Sequence, residues 1–183
     1  MSEYASIGFV LLALAGLALI LIWNGLVRAR NDVRNAWSQI DVQLKRRHDL
    51  VPNLVRTVGA YATHEKELLE RVTAARAQAQ EAHGPAARSD AEDALATALD
   101  GVLVVAEAYP DLKASGNFLA LQEELASTEN RIGFARQAYN DAVAAYNTRR
   151  EVFPANLISG SFERAETFVL RDAAERRVPD AAV

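Results

Sequence analysis

The chain has 183 residues, of which 50% are apolar and 24% are charged, and its net charge is −4. This length suits one domain, with or without an appendage. Because the chain has no cysteine, disulfides, thiolate metal sites, a cysteine nucleophile and a lipid-carrying N-terminal cysteine are excluded. Near-balanced charge and three scattered histidines argue against strong nucleic-acid binding.

Apolar residues are concentrated near the start of the chain. After a short N-terminus of residues 1–4, residues 7–23 carry no charge. A helix over residues 5–23 would be about 28 Å long, which matches a hydrocarbon core of ~30 Å, and Trp23 stands where an interfacial aromatic belongs. A cleaved signal peptide fits less well, because a basic leader and a small-residue cleavage site are missing. The sequence predicts a single transmembrane helix, with the lipid bilayer as the partner of residues 5–23.

The arginines around this span predict its orientation. No basic residue precedes the span, whereas Arg28, Arg30 and Arg34 follow it closely. The positive-inside rule then places the N-terminus outside and the rest of the chain in the cytoplasm.

Residues 24–154 show apolar side chains at alternating steps of three and four. The first stripe begins at Leu26, one heptad before Val33, so the span is expected to continue directly into the first bundle helix. The stripe runs through Val33, Trp37, Ile40, Leu44, Arg47, Val51, Leu54, Val58, Tyr61, Glu65, Leu68, Val72, Ala75 and Ala79. This period predicts coiled-coil-like helix packing. Arg47 is expected to lay its stem on the core with its head in water.

Two prolines mark a helix kink or break. At Pro52 either a new helix restarts with Asp49 as its N-cap or one helix continues with a kink, and the unchanged phase of the stripe favours the kink. Residues 83–89 form a connector, after which Ser89 and Glu92 fit a capping box. Pro110 is expected to end the next helix, whose stripe is Leu95, Leu99, Val102, Ala106 and Tyr109.

The last long helix is expected to begin with Asn117 as its N-cap and to end at residues 152–154. Its stripe is Phe118, Leu121, Leu125, Thr128, Ile132, Ala135, Tyr139, Ala142, Tyr146, Arg149 and Phe153. The predicted fold is therefore all-α: a transmembrane helix that continues into a long antiparallel bundle of three to four helices. The predicted core and packing seam comprise Trp37, Ile40, Leu44, Leu54, Tyr61, Tyr109, Phe118, Leu121, Leu125, Ile132, Tyr139 and Tyr146.

Residues 155–183 lose the pattern. They are predicted to be a partly ordered tail with a short helix near residues 163–176 and a disordered end over 178–183. Phe162 and Phe168 are predicted to be exposed and to contact a partner.

The blocks over residues 35–55, 106–114 and 117–132 are similar to the LemA family of bacterial membrane proteins. They include Leu50-Val51-Pro52-Asn53-Leu54, Ala106-Glu107-Ala108-Tyr109-Pro110-Asp111-Leu112-Lys113-Ala114 and Thr128-Glu129-Asn130-Arg131-Ile132. The resemblance covers roughly residues 24–160 and implies one membrane helix, an antiparallel bundle and a location in the bacterial inner membrane. It implies no enzymatic activity. After Phe153-Pro154 a charged tail replaces the aromatic tail of many relatives.

Patterns for catalysis or metal binding are incomplete. His64-Glu65 begins a zinc motif, but position 68 is leucine, and no Glu-x-x-His pair for a di-iron site occurs. The basic run 45–48 is expected to pair with acidic residues of neighbouring helices rather than with lipid. We therefore expect a non-enzymatic membrane-anchored scaffold or adaptor without cofactors, with a second copy or an integral membrane protein as partner. The alternatives are a membrane-shaping protein whose tail is an interfacial helix, and an accessory subunit of a membrane protease.

Overall fold

The structure is a computed structural model that describes residues 2–170. The helices are α1 (Ser2–Tyr61), α2 (Lys66–Glu81), α3 (Pro85–Ala106), α4 (Pro110–Lys113) and α5 (Gly116–Glu151), followed by 3₁₀ turns at Ala155–Leu157 and Ser159–Ser161. Over these residues no strand is present, which confirms the predicted all-α fold.

Helix α1 contains both the apolar stretch and Pro52. The chain therefore continues through Pro52 as one helix and does not restart at Asp49. By length and composition, α1 includes one stretch that is able to cross a bilayer, and its side chains there are exposed. The predicted continuity between the span and the first bundle helix is confirmed.

The first break in the helical chain lies at residues 62–65, where sequence periodicity placed none. α1 ends at Tyr61 and α2 begins at Lys66. The stripe keeps its phase across this turn, since Leu68, Val72 and Ala75 form the buried face of α2. A turn that preserves the phase cannot be detected from the spacing of apolar residues alone.

Two predicted helix caps and one predicted stop are wrong. α3 begins at Pro85 after Gly84, which has a φ of +81°; proline suits the first helical position, and glycine tolerates a positive φ. Ser89 and Glu92 consequently lie inside α3, where both are buried. α3 already ends at Ala106, and Pro110 begins the short helix α4. Because α5 begins at Gly116, Asn117 lies in its first turn rather than at its N-cap.

The described residues divide into two units: residues 2–38 with 138–165, and residues 39–137 with 166–170. In the first unit α1 and α5 are antiparallel neighbours, and their core is formed by Leu26, Ala29, Tyr146, Ala155 and Phe162. The second unit has its own core, to which α1, α2, α3, α4 and α5 all contribute. Its buried members are Val51, Leu54, Val58, Ala62, Leu68, Val72, Ala75, Ala79, Leu95, Leu99, Val102, Ala106, Leu112 and Phe118.

Most of the predicted seam residues lie inside these units. The fully buried ones are Ile40, Leu44, Leu54, Phe118, Ile132, Tyr139 and Tyr146, and the half-buried ones are Trp37, Tyr109, Leu121 and Leu125. The Trp37 ring contacts the Tyr139 ring with centroids 5.2 Å apart. Tyr61 is the exception: it is 44% exposed, because α1 ends there and the chain turns away.

The predictions for the tail need correction. Residues 163–170 are not helical, so the short helix predicted near 163–176 is wrong for this part. Residues 171–176 and the predicted disordered end at 178–183 lie outside the described residues. Phe162 and Phe168 are buried, which contradicts their prediction as exposed partner contacts.

Side chains of α5 hold the first part of this tail in a non-helical conformation. The Asn147 side-chain amide donates to the Ala165 carbonyl at 2.9 Å, and its carbonyl accepts from the Ala165 N–H at 3.0 Å. Tyr146 donates its hydroxyl to the Glu163 carbonyl, and Arg150 donates to the Phe162 carbonyl. These side chains satisfy backbone groups that a helix would have paired internally.

Candidate functional site: a buried ion-pair network

Three charged or titratable side chains meet in the interior of the second unit. Arg47 and His48 are neighbours on α1, and Glu92 comes from the first half of α3. Glu92 is completely buried, and Arg47 and His48 are nearly so. One Glu92 carboxylate oxygen lies 3.3 Å from Arg47 Nη1, and the other lies 2.7 Å from His48 Nε2. Both oxygens of the buried carboxylate are therefore engaged.

The network extends to two further helices. Arg47 forms a second ion pair with Glu129 of α5, whose side chain is partly exposed. Arg76 of α2 donates from Nε to the His48 carbonyl at 2.7 Å. The buried network therefore joins α1, α2, α3 and α5 through polar contacts in one layer of the second unit.

The cluster satisfies its own polar groups. His48 Nε2 and the Glu92 carboxylate form a 2.7 Å hydrogen bond whose donor depends on the histidine tautomer. Arginine stays charged in proteins, and its fixed fork lets one side chain reach two carboxylates. Ionised groups are expelled from an apolar interior unless they are paired. Pairing with Glu92 and Glu129 is therefore what permits the burial of the Arg47 guanidinium.

This cluster was not predicted from the sequence. Arg47 was predicted to reach water and Glu92 to cap a helix, and both predictions are wrong. A usable signal was present, however: Glu92 precedes Leu95 by three residues and so continues the α3 stripe, while Arg47 lies on the α1 stripe. Opposite charges on two core stripes indicate a buried pair. The expected pairing of the basic run with acids of neighbouring helices is seen for Arg46 with Glu124.

A groove between α3 and α5 lies beside the network. Arg47 and Glu129 border a cavity of about 190 Å³ whose walls include Leu99, Leu103 and Leu125. A second cavity of about 510 Å³ continues along the same helices and shares Asp100, Leu103 and Gln122 with the first. Concave, largely apolar surfaces with a few polar groups are typical of binding sites.

Comparison with known proteins identifies the chain's relatives. The LemA family matches residues 36–182. The chain belongs to the LemA family. The match continues beyond residue 154, where the sequence was expected to depart from the family, and it begins after the predicted start at residue 24. Family membership therefore covers the helices of the second unit and the tail.

Individual relatives of this LemA family member are distant. The protein LemA of Metamycoplasma hominis is 25% identical over 85% of this chain and 71% of its own length. Magnetosome protein MamQ 2 of Paramagnetospirillum magneticum is 25% identical over 86% of this chain and 68% of its own length. Magnetosome protein MamQ of Magnetospirillum gryphiswaldense is 23% identical over 82% of this chain and 65% of its own length. None of these names describes an enzymatic reaction.

The LemA family member shows no metal centre in residues 2–170, where no group of three or more His, Asp or Glu side chains is placed to hold an ion. The clearest perturbed side chain is Tyr109, which lies between α3 and α4 and donates to Glu65 at 3.2 Å. Burial raises the pKa of the Tyr109 phenol above its usual value, and the hydrogen bond and negative charge of Glu65 raise it further.

This raised pKa predicts the alkaline behaviour of Tyr109. Because the folded state favours the neutral phenol, its contribution to stability is present below pH ~10 and is lost as pH rises through the folded-state pKa. In a titration followed by phenolate absorbance, Tyr109→Phe is expected to remove a late ionisation step. Glu65→Gln is expected to lower the pKa of the Tyr109 phenol only part of the way to its usual value, since burial is the larger cause of the shift. Tyr61→Phe, at an exposed tyrosine, is the control and should leave the Tyr109 step in place.

Proposed function

We propose that this protein is a non-enzymatic, single-pass scaffold or adaptor of the bacterial inner membrane. One observation carries the proposal: α1 runs without interruption from Ser2 to Tyr61 and contains both the apolar stretch and buried residues of the helical core. A partner that binds the packed helices would therefore be tethered to the bilayer. Relatives that are named magnetosome proteins support an association with a cell structure, and we extend this association to the present chain.

The proposed binding surface is the groove between α3 and α5 in the second unit. The wall of this groove includes a large apolar side chain, Val104, which is 70% exposed. Exposed apolar residues beside a concave surface favour binding of a helix from another protein. The occupant is a second copy of this chain or an integral membrane protein. The membrane-shaping alternative loses its support over residues 163–170, which do not form an interfacial helix.

Thiol crosslinking in native membranes tests the scaffold proposal. Because the chain has no cysteine, Val104→Cys supplies a single reactive thiol on α3, at the wall of the groove. We expect one dominant adduct, either of twice the protein's mass or with one membrane protein, and Val42→Cys at an exposed position of α1 is the control. A membrane protease in the adduct would support the accessory-subunit alternative. Equal, diffuse labelling of both variants would contradict a specific scaffold.

The proposed topology places the N-terminus outside and the bundle in the cytoplasm, because Arg28, Arg30 and Arg34 follow the span. Tyr4→Cys and Val42→Cys place exposed thiols on either side of the span. A membrane-impermeant maleimide is expected to label Tyr4→Cys in intact spheroplasts and Val42→Cys only after lysis. The reverse pattern would show the opposite orientation, and labelling of both before lysis would contradict a membrane-spanning helix.

A further inference from the structure

The end of α5 exposes an apolar cluster that the helical core does not use. Val152, Phe153 and Leu157 lie within one six-residue segment. Phe153 is 78% exposed and Leu157 is 73% exposed. The neighbouring Ala155 and Ile158 face inward and pack on the core of the first unit. The segment is therefore fixed to the protein on one side and presents large apolar side chains on the other. Such a patch indicates an interaction site. We call residues 152–157 the apolar foot.

The apolar foot lies beside the end of the candidate membrane span. Arg149, just before it, donates from Nη1 to the Gly25 carbonyl at 3.0 Å. Since α5 is antiparallel to α1 in this unit, residues after Arg149 continue towards Ile22 and Trp23. Ile22 packs on the same cluster as Ala155 and Ile158. The Phe162 ring meets the Trp23 ring edge-on, with centroids 4.9 Å apart.

The charges around the apolar foot suit an anionic surface. Residues 24–34 and 145–165 contain six arginines and three carboxylates, in a chain whose net charge is −4. The carboxylates are Asp32, Glu151 and Glu163, and Glu151 lies 3.9 Å from Arg164. Arg28 and Arg149 are exposed, whereas Arg30 stacks over the Phe162 ring at 5.3 Å. Apolar side chains flanked by arginines are the pattern of proteins that lie in a membrane interface.

We propose that the apolar foot is a second membrane contact, seated in the leaflet from which α1 emerges. Phe153 and Leu157 enter the boundary between headgroups and acyl chains, and the nearby arginines bind anionic lipid phosphates. The inference rests on the proposed function in one respect, namely that α1 spans the bilayer. The tilt and rotation of a single membrane-spanning helix are not set by the span itself but by neighbouring elements and by side chains anchored at the interface. A second point of attachment on the folded part fixes both.

Depth measurements on the full-length protein in vesicles of phosphatidylethanolamine and phosphatidylglycerol test this proposal. Single thiols at Leu157→Cys and Phe153→Cys carry an environment-sensitive fluorophore. We expect a blue-shifted emission and strong quenching by lipids that are spin-labelled near the headgroup. Leu119→Cys, on a partly exposed position of α5 in the second unit, is the control and should show neither effect. Emission at residues 153 and 157 that matches the control would overturn the proposal.

A fourth label separates this inference from the proposed function. Leu12→Cys, within the apolar stretch, should be quenched most by lipids that are spin-labelled deep in the acyl chains. If residue 12 is quenched in this way and residue 157 is not, the span is correct and the apolar foot is wrong. If residue 12 is not quenched either, the membrane anchor itself fails. Arg28→Gln should weaken quenching at residue 157 in anionic vesicles but not in zwitterionic phosphatidylcholine; an equal effect in both would overturn the preference of these arginines for anionic lipid.

Discussion

Replacement of Glu92 by alanine is expected to lower the free energy of unfolding by about 3–5 kcal/mol. The carboxylate is completely buried between Arg47 and His48, and its removal takes one negative partner away from the buried guanidinium of Arg47. A charge without its partner in a low-dielectric interior is far more destabilising than the pair is stabilising. The effect should therefore exceed that of an ordinary surface ion pair several-fold.

Thermal unfolding of the full-length protein in detergent, followed by far-ultraviolet circular dichroism, measures this effect. For a protein of this size, 1 kcal/mol corresponds to about 2–4 °C in melting temperature, so the expected decrease is roughly 6–20 °C. Glu124→Ala is the matched control, because it removes the carboxylate partner of exposed Arg46 and should cost at most about 1 kcal/mol. Similar melting temperatures for the two variants would contradict a buried network.

A triple variant separates the cost of an unpaired buried charge from the contribution of the polar contacts to stability. Replacing the whole cluster by apolar residues, with Arg47→Met, His48→Leu and Glu92→Leu together, removes the buried charges and keeps side-chain volume. Buried ion networks replaced in this way often lose no stability. We expect the triple variant to melt well above Glu92→Ala. If it instead melts as low as the single variant, the polar contacts themselves, rather than the unpaired charge, carry the stability.

The features of the fold that follow from the spacing of apolar residues along a helix were predicted correctly from the sequence. The fused first helix followed from the unbroken phase between Leu26 and Val58, and α1 contains both residues. The same reasoning could not find the turn at residues 62–65, because an antiparallel return that keeps the heptad phase leaves the spacing unchanged. Burial of charged residues was also hidden. Arg47 and Glu92 were each judged alone, and their pairing depends on which helices become neighbours.

The tail was the least predictable part, for a related physical reason. Residues 163–170 carry no helical period, and backbone groups of Glu163, Ala165 and Leu170 bond to side chains of α5. Asn147 and Arg150 make these contacts with residues 162–165, yet neither residue differs in the sequence from an ordinary polar surface residue of a helix. Isolated apolar residues in such a segment indicate exposure when no partner element is known, whereas here the long helix itself is the partner.

Phe168→Ala is expected to destabilise the protein by about 3–5 kcal/mol, the typical loss when a fully buried phenylalanine is truncated. Phe168 has no exposed surface and is followed closely by buried Leu170. Arg136 of α5 donates to the Leu170 carbonyl at 2.6 Å, so the backbone around Phe168 is tied to the helix. An alanine would leave a cavity that this tethered backbone cannot readily close.

The control for Phe168→Ala is Phe134→Ala, which truncates the same residue type at a position of the same unit that is 74% exposed. Exposed substitutions usually change stability by no more than about 0.5 kcal/mol. Melting temperatures that fall by several degrees for Phe168→Ala and hardly change for Phe134→Ala would establish that the tail is part of the folded core. If both variants melt like the unaltered protein, Phe168 is not buried in solution. A fall for Phe134→Ala as well would mean that this exposed face is already covered by a second copy, because truncation at a free surface leaves no cavity.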